Sequence, residues 1–428
     1  MTVSPYPWTS LASSGSTNQI AAARTSVATH AFPFLAAIIM LFVVALTEAL
    51  VMPVLRSLTI DRYNITPGLA HAFIYAKLLG MIGGAGLLRV FNLRKTGANL
   101  FVGAAIANGI ILASIAMPVG FGATVVLRML EGAASIYIYW ILSSSVINSS
   151  AIKAPAQRSA VGATAFTLGL ATGFGAGGLI GSHSAAHCVW LGAAIWWGLA
   201  LITLIFLRRC CTFTEPTRIN DPHEIRAKAD GPVTRPVRLT RLTERLLLLT
   251  LVATVPLFLE TTGHWNTAIV GALLAVSALI AAFSLLSAGL MADRPGKGVL
   301  RLPAGVVLAG AVGSLPFAAA THIAVMGAVL ALAGVAAASL VKTSLETARE
   351  EGAIVGIGFL LLAVLCATGL LGMFGGTGAQ NLAFTILPGV ALLHLASLAL
   401  ALLFTRAKWS AAGFTARATE SRTMFATK

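Results

Sequence analysis

Charged residues are scarce in this sequence: only 10% of its 428 residues are Asp, Glu, Lys or Arg, whereas 57% are hydrophobic. A soluble globular protein carries roughly 25% charged residues. A chain of this length cannot cover a water-exposed surface with so few charges, which excludes a soluble enzyme or regulator. A disordered chain is excluded too, because disordered chains are polar. The composition favours a helical protein embedded in a membrane.

Cysteines and catalytic motifs are also few. The four cysteines form no CxxC pair and no Cys/His zinc spacing, so the sequence predicts neither a disulfide framework nor a zinc site. It contains no GxSxG or HExxH motif and no paired-aspartate site within an apolar segment. We therefore expect neither an intramembrane enzyme nor a cofactor.

Long apolar runs dominate what is present. A membrane span needs about 20 apolar residues, and backbone groups in lipid must be hydrogen-bonded internally, which favours helices. The sequence predicts an all-α membrane protein with 12 transmembrane helices in two six-helix halves. The predicted spans lie at about 34–55, 69–88, 98–118, 122–147, 160–181, 187–207, 245–260, 267–290, 300–319, 322–344, 352–374 and 383–405.

The positive charges indicate the orientation. If the N-terminus is cytoplasmic, 25 of the 29 Lys and Arg residues fall on the cytoplasmic side, and only Arg56 and Arg62 fall outside. This asymmetry predicts that both termini are cytoplasmic. It also explains the net charge of +15 without nucleic acid as a partner, and a basic inner face suits an anionic lipid bilayer.

A charged, proline-containing segment divides the spans into six plus six, as expected of a linker. The two sides share a plan, which indicates an internal repeat. The predicted domains are a cytoplasmic N-terminal tail at 1–33, an N-terminal half at 34–207, a cytoplasmic linker at 208–244, a C-terminal half at 245–405 and a cytoplasmic C-terminal tail at 406–428.

Four ionisable residues lie deep within predicted spans of the first half: Glu48, Lys77, Arg128 and Glu131. At a rise of ~1.5 Å per residue, they lie about 9–14 Å from the outer edge of their spans. A charge at this depth needs a partner or a water-filled cavity. Two interpretations remain open: neutralising pairs that only hold the helices together, or a carboxylate that takes up and releases a proton as a solute moves.

Other polar and aromatic residues leave alternatives open. Glu260 and His264 lie at the outer end of the seventh span, either hydrated or as part of an outer gate. The histidines near the outer face are interpreted as solvated loop residues rather than metal ligands, because they show no ligand spacing. The second half has almost no charge within its spans. This predicts that the part of the cavity lined by the second half is apolar and that the solute is amphipathic.

Four segments carry a resemblance to the major facilitator superfamily. GLMADRPGK at 289–297 resembles that family's G-x-L-A-D-R-x-G-R/K signature. Members of the family carry this signature in each half, and GLLRVFNLRK at 86–95 is similar to the copy in their first half. RMLEG at 128–132 resembles the span-4 pattern of proton-coupled members. GFGAGG at 173–178 resembles the span-5 pattern of antiporters.

The resemblance implies roles for these residues. By the resemblance, Arg128 and Glu131 are expected to belong to a proton path. Glu48 and Lys77 are expected in the same cavity because they lie at the same depth in their spans. The resemblance also implies a cytoplasmic gate and a set of helix-5 glycines. The gate residues are Gly86, Arg94, Lys95, Gly289, Asp293, Arg294, Gly296 and Lys297, and the helix-5 glycines are Gly173, Gly177 and Gly178.

The function expected from the sequence is a monomeric secondary transporter, proton-coupled and resembling efflux antiporters, that moves a small solute across a bacterial inner membrane. One alternative is a transporter of iron, another metal or a metal chelate, in the inner membrane or an internal, magnetosome-like organelle membrane. A second alternative is a scaffold or sensor that keeps the fold without transport. The expected partners are a small molecule or ion, protons and the lipid bilayer, with no bound metal.

Overall fold

The computed structural model describes residues 16–90, 97–149, 152, 155–207, 234–262, 265–290, 301–319, 322–347 and 387–403. All regular structure within these ranges is helical. The α-helices are α1 (Ser16–Leu50), α2 (Pro67–Val90), α3 (Gly97–Ala116), α4 (Phe121–Asn148), α5 (Pro155–Gly181), α6 (Ala185–Ile202), α7 (Thr234–Thr262), α8 (Thr267–Leu290), α9 (Arg301–Ala319), α10 (Ile323–Thr347) and α11 (Leu387–Leu403).

Seven stretches of these helices are long and apolar enough to cross a membrane, which confirms the predicted all-α membrane protein. They are Phe32–Val54, Leu69–Leu88, Gly97–Ala116, Phe121–Val146, Gln157–Gly181, Ala185–Phe206 and Thr267–Ser287. Three shorter apolar helices follow at Pro303–Ala318, Ile323–Ala336 and Leu387–Leu403. The predicted span at 352–374 lies outside the described residues.

Two helices begin well before their predicted apolar spans. Helix α1 begins at Ser16, and α7 begins at Thr234. In α7, Thr240, Thr243 and Leu247 are buried at a spacing of three to four residues, which is the period of one helix face. The count of apolar residues misses this part of α7, because its buried positions include the polar residues Thr240 and Thr243 and the charged residue Glu244.

The helices form two groups with separate hydrophobic cores. In the first group, α1 packs on α5, α2 on α4, and α3 on both α4 and α6. In the second group, α10 packs on α8 and α9. The buried apolar residues of the two groups form two large clusters, one built mainly from α1–α6 and the other from α7–α11, and a small third cluster contains Ala281 and Leu285 of α8. The two groups meet most extensively along α5 and α8.

One end of the bundle is defined by contacts between helix termini. Arg62, which follows the end of α1, donates from Nη1 to the carbonyl of Ile115 near the end of α3, at 2.7 Å. The Tyr63 hydroxyl lies 2.7 Å from Oγ1 of Thr124 in the first turns of α4. Helices α1, α3, α5 and α7 therefore end where α2, α4, α6 and α8 begin. We call this the Arg56 end; the charge asymmetry predicts that it faces outside.

The crossing of α2 and α4 depends on two glycines. A Cβ atom on Gly80 would lie 1.8 Å from the carbonyl oxygen of Met129, and one on Gly132 would lie 2.0 Å from the carbonyl oxygen of Lys77. Both distances are far below van der Waals contact. Small residues let helix backbones approach closely in lipid, where packing rather than the hydrophobic effect drives helix association.

We expect Gly80→Ala to destabilise the protein by about 1–3 kcal/mol, because the added methyl group forces α2 and α4 apart. Gly83→Ala, three residues along the same helix, is the matched control, since a Cβ there meets no atom within 4 Å. Thermal unfolding in detergent measures both variants. Equal melting temperatures for the two would contradict the close packing of this crossing.

Candidate functional site

The four charged residues predicted within the first half lie together at the junction of α1, α2 and α4. The Lys77 ammonium pairs with the carboxylates of both Glu48 and Glu131, and its Nζ lies 2.9 Å from Oε1 of Glu131. The guanidinium of Arg128 pairs with Oε2 of Glu131. Lys77 thus links a carboxylate of α1 to one of α4. We call these four residues the ion cluster.

The ion cluster is almost completely removed from the surface. Arg128 and Glu131 are each 1% exposed, Lys77 is 6% exposed and Glu48 is 8% exposed. Two positive and two negative groups balance when all four are ionised. This balance matters because an unpaired charge in a low-dielectric interior is costly, whereas a paired and hydrogen-bonded one is tolerated.

Neutral polar residues extend the ion cluster toward α3. The Ser135 hydroxyl donates to Oε1 of Glu48 at 3.1 Å, and Nδ2 of Asn108 donates to the Ser135 hydroxyl at 3.3 Å. The Arg128 guanidinium carbon lies 4.8 Å from the centre of the Phe73 ring, in cation–π geometry. The sequence interpretation missed Asn108; an amide side chain within an apolar span was the available signal.

The helix-5 glycines contact two different helices. A Cβ on Gly173 would lie 2.4 Å from the carbonyl oxygen of Leu46 in α1, and one on Gly177 would lie 2.4 Å from that of Leu50. Gly178 instead faces α8: its Cβ would lie 2.8 Å from the Cα of Gly271. Gly173 and Gly177 therefore hold α5 against α1, while Gly178 lies where the two groups of helices meet.

The two groups also meet through a hydrogen-bonded contact at the Arg56 end. The backbone N–H of Arg56 donates to Oε2 of Glu260 at 2.6 Å, and Nη1 of Arg56 donates to the backbone carbonyl of Glu260 at 3.2 Å. Glu260 is 3% exposed. Of the two alternatives left open by the sequence, hydration of Glu260 is wrong: the carboxylate is buried in this contact. His264 lies outside the described residues.

The chain is similar to known proteins in sequence and in fold. The sequence profile of the Major Facilitator Superfamily matches residues 37–351. The chain belongs to this superfamily. Comparison with curated proteins gave no match.

Solved structures share the superfamily fold. A mutant of the nucleoside transporter NupG superposes with a TM-score of 0.62 at 14% identity, over 86% of this chain and 99% of that one. The xylose transporter XylE from E. coli, in a partially occluded inward-open conformation, gives 0.60 at 14% identity, over 88% and 96%. A D-xylose–proton symporter gives 0.58 at 16% identity, over 87% and 97%. This chain therefore has the major facilitator transporter fold.

Most of the predicted cytoplasmic gate cannot be placed. Gly86 lies in α2 in open space, since a Cβ there would meet no atom within 4 Å, and Gly289 lies near the end of α8. The remaining gate residues lie outside the described residues: Arg94, Lys95, Asp293, Arg294, Gly296 and Lys297. The gate assignment stays a prediction from the superfamily signature.

The second half contains a buried polar group that the sequence interpretation missed. Nδ1 of His394 in α11 lies 2.9 Å from Oγ1 of Thr243 in α7, and that atom lies 2.7 Å from the Ser397 hydroxyl. All three residues are buried. The second half is therefore less uniformly apolar than predicted. Within the described part of the chain, no three His, Cys, Asp or Glu side chains are grouped so as to hold a metal ion.

We expect Lys77→Met to destabilise the protein by about 3–5 kcal/mol, because it removes the cation shared by Glu48 and Glu131 and leaves a buried charge uncompensated. Adding Glu48→Gln to Lys77→Met restores the balance of charge, so the double variant should recover most of the loss. Thermal unfolding in detergent at neutral pH measures both. A double variant no more stable than Lys77→Met would contradict the charge balance.

Proposed function

We propose that this chain is a secondary transporter that moves a small solute by alternating access and couples that movement to protons. The ion cluster is the observation that carries the proposal. In the span-4 pattern of proton-coupled members, Arg128 and Glu131 are the matching residues. The cluster adds Glu48 and Lys77 to them through direct contacts, so that a proton taken up by one carboxylate affects all four groups.

The coupling follows from charge balance. If Glu48 or Glu131 takes up a proton, Lys77 loses one of its two partners and the cluster gains a net positive charge. A buried net charge is costly, which favours rearrangement toward a conformation in which water or solute reaches the cluster. Moving one charge through the membrane potential is worth about 2.3 kcal/mol per 100 mV, which is enough to drive a coupled step.

Alternating access in this proposal uses the contact between the two halves at the Arg56 end. The approach of Gly178 to Gly271 and the Arg56–Glu260 hydrogen bonds join the halves there. Opening that end requires both contacts to separate. Because neither glycine has a side chain, separating the two halves at this pair breaks few side-chain contacts. The Arg56–Glu260 hydrogen bonds form only when the halves are joined in one particular arrangement.

The orientation proposed for this transporter follows from the charge pattern. Both termini lie in the cytoplasm, and the membrane is a bacterial inner membrane or an internal organelle membrane. We propose a monomer that needs no cofactor. The antiporter-like pattern at 173–178 supports export in exchange for protons, while one structural relative is a proton symporter. The direction in which protons move in the assay below distinguishes antiport from symport.

We expect Glu48→Gln and Glu131→Gln each to lower proton-coupled solute flux at least tenfold, because a glutamine side chain cannot take up and release a proton at this site. The assay uses proteoliposomes that enclose a pH-sensitive dye. Solutes are added one at a time: a nucleoside, D-xylose and the amphipathic cation ethidium.

The matched control is Glu420→Gln, which makes the same chemical change in the predicted cytoplasmic tail and should retain full flux. All three variants are compared at equal amounts of folded protein in the vesicles. Unchanged flux in both ion-cluster variants would exclude these carboxylates from the proton path. A scaffold of this fold would instead give no flux with any solute, even in the unaltered protein.

We also expect Gly178→Ala to shift the protein toward a conformation open at the Arg56 end, because a methyl group there clashes with the Cα of Gly271. The readout is the rate at which a cysteine introduced at Thr267 reacts with a membrane-impermeant maleimide. Gly175→Ala is the control, since a Cβ at Gly175 makes only an ordinary 3.7 Å contact with Ala275. Equal labelling rates in the two backgrounds would contradict the role of the glycine pair.

A further inference from the structure

A cavity of about 310 Å³ lies at the Arg56 end, separate from the ion cluster. Both halves line it. The first half contributes Arg56, Asp61 and Ser182, and the second half contributes Glu260, Trp265 and Thr267. Small-molecule sites in proteins begin at roughly 300 Å³. The cavity therefore has room for a compact ligand that touches both halves at once.

Glu260, which lines this cavity, has one carboxylate oxygen without a hydrogen-bond partner in the described part of the chain. Its Oε2 accepts the Arg56 backbone N–H, while its Oε1 is buried and has no hydrogen-bond partner in the described part of the chain. Burying a carboxylate oxygen without a partner costs free energy. The unsatisfied atom belongs to a side chain that is 97% buried, since Glu260 is 3% exposed.

The guanidinium of Arg56 also lines this cavity, but it contacts other groups than the Glu260 carboxylate. Nε of Arg56 lies 3.4 Å from Oδ1 of Asp61, and its Nη1 donates to the backbone carbonyl of Glu260 rather than to the carboxylate. Within the described residues, no side-chain nitrogen of Lys, Arg or His lies within 4.0 Å of the Glu260 carboxylate. Two carboxylates thus face one guanidinium across this cavity, which leaves one negative charge uncompensated when both are ionised.

The other residues that line the cavity indicate which kind of cation would fit it. Trp265 offers an aromatic ring, the side chain best suited to hold an organic cation over its face. The hydroxyls of Ser182 and Thr267 offer further hydrogen bonds. A calcium ion takes six to eight oxygen ligands, whereas an ammonium group needs only a few acceptors. The chemistry of this lining matches a small organic ammonium ion better than a metal ion.

We propose that this cavity binds a small organic ammonium ion, with the Glu260 carboxylate accepting a hydrogen bond from its nitrogen and Trp265 against its carbon chain. Because both halves contribute, the bound cation stabilises the conformation in which they are joined at the Arg56 end. The site is independent of the proton path: it can exist whether or not the ion cluster couples to protons.

The test is binding of ethanolamine, which is protonated at pH 7, to the full-length protein in an uncharged detergent, measured by saturation-transfer NMR and calorimetry. Ethylene glycol, similar in size but uncharged, is the matched probe. We expect saturable binding of ethanolamine alone. Glu260→Gln should weaken it at least tenfold, because it removes the charge while keeping the size of the side chain.

Two further variants keep the test decisive if Glu260→Gln fails to fold. Asp61 and Trp265 are less buried than Glu260, so Asp61→Asn and Trp265→Ala disturb the fold less; each should weaken ethanolamine binding, while Trp265→Phe should retain it. Glu420→Gln, in the predicted cytoplasmic tail, should bind as the unaltered protein does. Absence of ethanolamine binding, equal binding of ethylene glycol, or full affinity in Asp61→Asn and Trp265→Ala would overturn the proposal.

Discussion

The lack of water inside a bilayer is the constraint on which this structure depends. A charge within an apolar span has to find its counter-charge on another helix, because no solvent compensates it. The ion cluster satisfies this requirement with one lysine placed between two carboxylates. Glu48, Lys77 and Glu131 belong to three different helices, so the requirement for pairing also determines how α1, α2 and α4 are arranged.

The close helix crossings and the ion cluster support each other. Gly132 follows Glu131 directly and faces the backbone carbonyl of Lys77. The same crossing that brings the two backbones together therefore brings the ammonium of Lys77 within hydrogen-bonding distance of Glu131. A larger residue at 132 moves these backbones apart and lengthens the ion pair. The stability of this region and its charge chemistry thus share one geometric origin.

The sequence predicted the parts of this structure that depend on composition and local period, and missed the parts that depend on helix rotation. The scarcity of charge and the apolar runs predicted the helical spans, and the signature at 289–297 indicated the superfamily. The common depth of the four charges predicted that they lie close together. Depth says nothing about which way a side chain faces, so the sharing of Lys77 by two carboxylates was not predictable.

The burial of Glu260 was missed for the same reason. From the sequence alone, a carboxylate at the end of a span is expected to be hydrated. The structure shows that Glu260 is buried, because the other half of the protein covers it. His394 was missed because a histidine within an apolar segment is not counted as a charge at neutral pH. In both cases the information lies in how the two halves and their helices pack, which a single sequence does not contain.

The contact at the Arg56 end is reciprocal, which affects how it tolerates inherited change. One of its hydrogen bonds joins the main-chain amide of Arg56 to the Glu260 carboxylate, and the other joins the Arg56 guanidinium to the main-chain carbonyl of Glu260. Each residue therefore supplies one main-chain group and one side-chain group. Most replacements at either position should remove one hydrogen bond and keep the other, whereas proline at position 56 removes both.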